Sequence, residues 1–351
     1  GPSDNALKQT QHRPHAMLFI QRCNEVHLRC PRVRKAHLDA AIAQSLHQCL
    51  CSVHISPQVF CLSGGSPPAS ALTPCGFLHR LPRGHTDFRW RVFFLTVFHP
   101  VEVTSMRIRQ IALVAEHLAP VKVALMDLFG LEEAHIDPKI QTFGLKNIVM
   151  TLGDTFLEVV SPIQDKTTAG RLLERRGGDG GYMVIVQVED LEHEKARLAG
   201  TDIRVVYNID TERAKAVHLH PKDVPGAIAS LDMMDPPEAW YWAGTDWGQR
   251  IATNVGNITG AEIQSDDPQD TAGRWALAFG RELGSSSGMP ILSYDTSEVR
   301  FVKATDGRGA GLRAIDIEVK DTDALFLAAE RHGLEFSDSK VTVCGTDINL
   351  V

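Results

Sequence analysis

The chain has 351 residues, 43% of them hydrophobic and 23% charged, with a formal net charge of −7. That balance suits a globular protein with room for two or three domains and a large buried core. It excludes a global basic surface of the kind that draws nucleic acid or anionic lipid, and a membrane span would need about 18 consecutive apolar residues where the longest run, 92–98, is far shorter.

Residues 1–105 stand apart from the rest. They hold six of the seven cysteines and nine of the 15 histidines, and they carry a charge of +6 against −13 for the remainder. No period of 2 or 3.6 is sustained there, beyond a short amphipathic helix read over 35–50. Cysteine and histidine invite a zinc reading. The close pair, however, is Cys49-x-Cys51, not two C-x-x-C knuckles at ribbon spacing. The remainder of the chain has a cytoplasmic character, which argues against disulfides. The expectation is an N-terminal extension that is disordered or not a native domain, with Met106 as the natural start.

From residue 106 one plan recurs four times, in units of roughly 55 residues or fewer. Unit one opens with an apolar strand at 110–115. A helix follows over 119–130, with Val121, Leu125, Leu128 and Phe129 on one face and Gly130 at its end. A hairpin over 143–161 closes the unit, turning at Gly153-Asp154. Unit two reads as a strand at 182–188, a helix at 190–198, and strands at 203–207, 216–221 and 226–232. Unit three has a strand at 258–264 and a helix that starts at Asp266-Asp267-Pro268, with carboxylates at its positive end and proline in its first turn. Strands at 290–294 and 299–302 follow. Unit four runs from Gly311, and its 315–321 stretch aligns with 184–190, each leading into a helix. Strands at 341–343 and 347–351 end it. The domain reading is therefore 106–235, a linker at 236–255, and 256–351. Gly-rich joints at 175–181 and 306–311 each run into a strand rather than a helix, so they read as plain hinges and not as phosphate loops. The linker crowds three tryptophans into eight residues (Trp240, Trp242, Trp247). They would either wall a ligand pocket or glue the two domains together.

The βαβββ unit used in pairs resembles the vicinal oxygen chelate superfamily, which includes glyoxalase I, methylmalonyl-CoA epimerase, extradiol dioxygenases and bleomycin-binding proteins. The run 110–116 looks like its opening strand and 156–160 like its closing strand. The stretch 218–231, His-Leu-His-Pro-Lys-Asp-Val-Pro-Gly-Ala-Ile-Ala-Ser-Leu, is similar to the ending of epimerase-like members. The resemblance spans 106–351. It implies an α+β fold of four βαβββ modules forming two paired cups. It is specific for fold and not for reaction, because one fold hosts unrelated chemistries.

Members with a metal take one ligand from the first strand and one from the last strand of each module in a pair. Vacant positions on the ion then let it bind vicinal oxygens, stabilise an enolate or activate oxygen. Carried over by position, the first pair offers Gln110 and Glu158 from unit one, and Met183 (or Tyr182) and Ser230 from unit two. Asp232 shares a strand face with Ser230, and His220 or His218 could turn inward. The metal set that follows is Gln110, Glu158, Asp232 and His220. In the second pair the places hold Gly260 or Thr259, Arg300, Ala314 or Arg313, and Asn349, which keep no ligand. Arg300 is either an anion-binding residue within the second cup or a solvated charge.

Two functions follow from the resemblance. One is a small-molecule lyase, isomerase or dioxygenase in the first cup. It would have one divalent ion (Zn, Ni, Mn, Fe or Co) or none, Glu158 as metal ligand or base, Tyr182 as acid, and Gln110, Ser230 and Trp242 against the ligand. The other is a metal-free protein that sequesters a small, partly aromatic ligand. A small molecule is the expected partner, with a homodimer as a further expectation and neither nucleic acid nor membrane.

Overall fold

The computed structural model describes residues 105–351, and the readings made for the preceding stretch lie outside the described residues. No described helix is long and apolar enough to cross a membrane. The first module has β1 (Met106–Val114), α1 (Leu118–Phe129), β2 (Leu145–Leu152) and β3 (Thr155–Pro162). Helix α2 (Thr168–Arg176) leads to the second module, made of β4 (Gly180–Val188), α3 (Leu191–Leu198), β5 (Val205–Asp210), β6 (Ala214–Leu219) and β7 (Ile228–Met234). The third has β8 (Val255–Ser265), α4 (Pro268–Phe279), β9 (Leu283–Ser286), β10 (Met289–Ser293) and β11 (Glu298–Lys303). The fourth has β12 (Gly311–Val319), α5 (Thr322–Arg331), β13 (Glu335–Ser337), β14 (Lys340–Val343) and β15 (Thr346–Leu350).

Two mixed sheets result, in the orders β2-β3-β1-β4-β7-β6-β5 and β13-β14-β15-β12-β8-β11-β10-β9. Each is two modules joined by an antiparallel pair of opening strands, β1 with β4 and β8 with β12. Within each module the first and last strands pair in parallel. The first sheet is one strand short. Where module one would add a strand beside β2, only an isolated bridge between His135 and Val149 forms.

Alternation along the strands sorts the side chains into two layers. In β1 and β3, Ile111, Leu113, Leu157 and Val159 face the helices, while Ala112, Phe156 and Val160 face the hollow of the sheet. The helix-side layer is continuous through both sheets and holds Leu125, Phe129, Trp275 and Phe279. Local signals start and stop the helices that cover it. Asp190, Asp267 and Asp321 accept a backbone N–H at the starts of α3, α4 and α5, and Gly130 ends α1 at φ 67°. Helix α1 packs on α5, with Arg331 Nη2 2.8 Å from Asp127. The Arg197 guanidinium bonds the Leu277 carbonyl at the end of α4, where orphan carbonyls need donors.

Three features differ from the sequence reading. Helix α2 has no counterpart there, because its residues are mostly polar and only Ala169 and Arg176 are buried. Edge strands β9 and β13 were too short to carry a period. The Gly-rich joints are fastened to each other rather than free to hinge. Arg176, buried, donates to the carbonyls of Arg308, Gly309 and Ala310 at 3.3, 3.1 and 2.8 Å. Arg308 in return donates to the carbonyls of Arg176 and Gly178 at 3.0 and 3.2 Å. A Cβ on Gly311 would lie 2.0 Å from Arg176 Nη1, so the joint needs glycine for close approach.

Replacing Arg176 by Met removes the donor to the Arg308 and Ala310 carbonyls, while Gln264 still donates to that of Gly309, and is expected to lower stability by about 1–2 kcal/mol. The exposed neighbour Arg175, replaced by Met, is expected to change it by less than about 0.5 kcal/mol. Urea unfolding of the two variants checks this, and equal midpoints would refute the fastening role.

Candidate functional site in the first cup

The hollow of the first sheet is built from alternate residues of its central strands. A register shift between Ile108 and Gln110 makes Arg109 a bulged residue, so Arg109 and Gln110 both reach the hollow. Glu158 comes from β3, level with Ala112 of β1. Ser230 and Asp232 come from β7, alternating with core-facing Ala229 and Leu231.

Gln110 and Glu158 meet there. Gln110 Nε2 donates to Glu158 Oε2 at 2.9 Å, and Asn147 Nδ2 donates to Oε1 at 2.7 Å. Burial pushes the Glu158 carboxyl up to about 7, against the pull of these two amides. Tyr182 is raised to about 12, first by burial and then by the Glu158 charge. A second acid behaves alike. Asp232 accepts hydrogen bonds from Ser230 and from the Trp242 indole N–H, the latter at 2.7 Å. Burial lifts it to about 7.

The Trp-rich linker fills the space between these acids. Trp240 is fully buried, donates its indole N–H to Gln110 Oε1 at 2.7 Å, and stacks on Phe156 at 5.9 Å with planes 9° apart. Trp247 meets Phe156 edge-on at 5.4 Å. The Arg109 guanidinium lies over Phe156, Trp240 and Trp247 at 5.4, 5.6 and 5.7 Å and donates to the Glu238 carbonyl at 3.3 Å, so a cation–π cage anchors the linker. The three tryptophans pack among residues of the first sheet rather than as the expected glue between two domains. At the rim, Phe143 of module one packs on Tyr207 of module two at 5.1 Å, and Tyr207 on His218 at 5.2 Å.

The remaining sequence candidates fall as follows. His218 pairs across the strands with Ser230, and burial alone lowers it to about 4. His220 lies outside the group, because its Nδ1 accepts from the Lys222 backbone N–H at 3.1 Å in the turn after β6. That turn geometry withdraws it from the expected ligand set. Arg300 sits in the second cup, ion-paired to Asp316, with Glu298 at 3.3 Å and Glu262 at 3.8 Å. It is neither a solvated charge nor a free anion receptor. Arg109, Asn147 and Trp240 were missed as site residues. Asn147 had a signal, a polar residue inside the apolar run of β2. Arg109 had none, since a bulge is not written in alternation.

No family model matches the chain. A mutant of 4-hydroxymandelate synthase from Streptomyces coelicolor superposes with a TM-score of 0.52 at 15% identity, over 66% of this chain and 76% of that one. Mitochondrial methylmalonyl-CoA epimerase of Dictyostelium discoideum is 20% identical over 129 residues, 36% of this chain and 77% of the epimerase. The fold is that of the vicinal oxygen chelate superfamily.

A vicinal oxygen chelate cup holds a metal through three or more converging donors. Here Gln110 Oε1, both Glu158 oxygens and both Asp232 oxygens each accept a hydrogen bond from an N–H or O–H of the chain. Among the described residues no three His, Cys, Asp or Glu side chains gather as a ligand group. The arrangement does not fit a divalent ion. It fits acids held by hydrogen bonds in an aromatic hollow.

Two buried acids with raised pKa have a consequence for stability. Between about pH 4.5 and 7 the native state holds a proton on Glu158 that the unfolded chain has released. The resulting stability is complete below the unfolded value and lost as pH rises through 7. Relative to Glu158→Gln, the native chain should lose on the order of 3 kcal/mol between pH 4 and 8. Denaturation curves across that range test this, and parallel pH profiles would contradict it.

Proposed function

We propose that the chain is a glyoxalase-like small-molecule enzyme that works from the first cup by proton transfer, without a resident metal. The observation that carries this reading is the Glu158 carboxylate. It is buried, held at both oxygens by amides and lifted to about 7, where a general base is most effective near neutral pH. Ionised Glu158 takes a proton from an acidic carbon next to a carbonyl; the C–H electron pair forms the enolate C=C bond and the carbonyl π pair moves onto the oxygen. Tyr182, still protonated with a pKa near 12, can donate a hydrogen bond to that oxygen. Return of the proton from Glu158 completes the cycle. The half-buried Trp242, on Asp232, is the gate residue that a substrate would displace.

The probe is methylmalonyl-CoA, named in the relative above, together with simpler acyl thioesters in deuterated water. Exchange at the α-carbon is expected by NMR, and Glu158→Gln should slow it at least 100-fold. Equal exchange by the variant, or none by the native chain, would sink the reading.

A second reading, metal-free sequestration of an aromatic ligand, is favoured by the indole N–H groups already seated on Gln110 and Asp232. Under it, tryptamine should bind saturably in isothermal titration calorimetry and be recovered unchanged. Trp242→Phe should alter that affinity. A linear, unsaturable response would exclude it.

A further inference from the structure

The second cup repeats the frame of the first with different contents. Gly260 of β8 stands level with Glu298 of β11 and Asp316 of β12. A Cβ at Gly260 would lie 2.3 Å from Asp316 Oδ2, so glycine lets the Asp316 carboxylate cross β8 to Arg300. Arg300 Nη2 donates to Asp316 Oδ1 at 2.7 Å, and Asn349 Nδ2 donates to the same oxygen at 2.8 Å. No aromatic segment like Trp240–Trp247 covers this cup among the described residues. What remains is an open cavity of about 450 Å³.

Its chemistry is polar and slightly acidic. Asp316, Glu298 and Glu262 surround Arg300, and Arg313 approaches Glu262 at 3.7 Å. Three carboxylates face two guanidinium groups, which leaves one negative charge in excess. That excess rests on Glu298. Its contact with Arg300 is 3.3 Å, made through the same Nη1 that Asp316 holds, and its side chain is 39% exposed. The cavity wall adds the hydroxyls of Thr259, Ser293 and Thr296, the last two on exposed residues. Tyr294 also borders it, but its ring turns the other way and packs on Phe279 in the helix-side core.

We propose that the second cup is a separate binding site for a small hydroxylated amine, its ammonium group on Glu298 and its hydroxyls on the Thr259, Ser293 and Thr296 rim. The pairing is a charge-assisted hydrogen bond at a partly exposed carboxylate. The Arg300–Asp316 pair forms a fixed floor, with no positive charge left over to draw anions.

Three six-carbon probes that differ only at one end decide the matter: glucamine (cationic), sorbitol (neutral) and gluconate (anionic). They are titrated into the full chain and followed by amide chemical shifts. Glucamine should bind about five-fold tighter than sorbitol, the scale of one exposed ion pair, and gluconate weakest. Shifts should centre on Thr259, Thr296 and Glu298. Glu298→Gln should bring the glucamine-to-sorbitol ratio close to one and leave sorbitol binding unchanged. The proposal is overturned if gluconate or sorbitol binds as tightly as glucamine, if the ratio survives Glu298→Gln, if shifts fall only on the first sheet, or if none of the three binds. Because Glu158 plays no part, the same titration on Glu158→Gln should match the native chain whatever becomes of the first cup.

Discussion

The hydrogen bond from Gln110 to Glu158, 2.9 Å long, joins the first and last strands of one module inside a hollow closed to water. A carboxylate cannot be kept there without donors, and the surroundings are arranged to supply them. Asn147 takes the second oxygen, Trp240 takes the oxygen of Gln110, and Arg109 pins Trp240 from behind. Each contact constrains the next. The parallel pairing of β1 and β3 puts Glu158 within reach of Gln110. The bulge at Arg109 turns a cation into the same space, and the linker is drawn in by the two acceptors it satisfies.

The two cups show how one frame supports different chemistry. In the first, burial holds two acids at the edge of ionisation and aromatic rings exclude water. In the second, a glycine stands where the first has an amide, and an arginine where it has the acid. The charge is balanced almost entirely within the chain and the cavity stays open. Low-dielectric acids are suited to moving protons. A hydrated, nearly balanced polar surface is suited to reversible recognition.

Much of the frame was legible in the residues. The repeat of strand, helix and strands, the aspartates before α3, α4 and α5, and Gly130 after α1 are local signals with local causes. The meeting of Gln110 with Glu158 followed from the module plan, since first and last strands of a module must neighbour each other. What could not be read is what depends on distant contacts. Helix α2 has little apolar period because it covers one rim and otherwise faces solvent. The joints looked like hinges because each is glycine-rich by itself, and only their mutual approach shows why. His220 was offered only as a residue that could turn inward, and the turn at the end of β6 holds its ring instead. Arg300 looked unpaired because its three carboxylates come from β8, β11 and β12.

Carboxyl carbon NMR as a function of pH tests the central claim most directly, because it reads the protonation of Glu158 without a substrate. One glutamate resonance titrating near pH 7, and missing from Glu158→Gln, is the result that burial of this acid requires. If every glutamate carboxyl titrates in the ordinary range near 4.5, Glu158 is not held in a dry hydrogen-bonded hollow and the first cup is not a proton-transfer site.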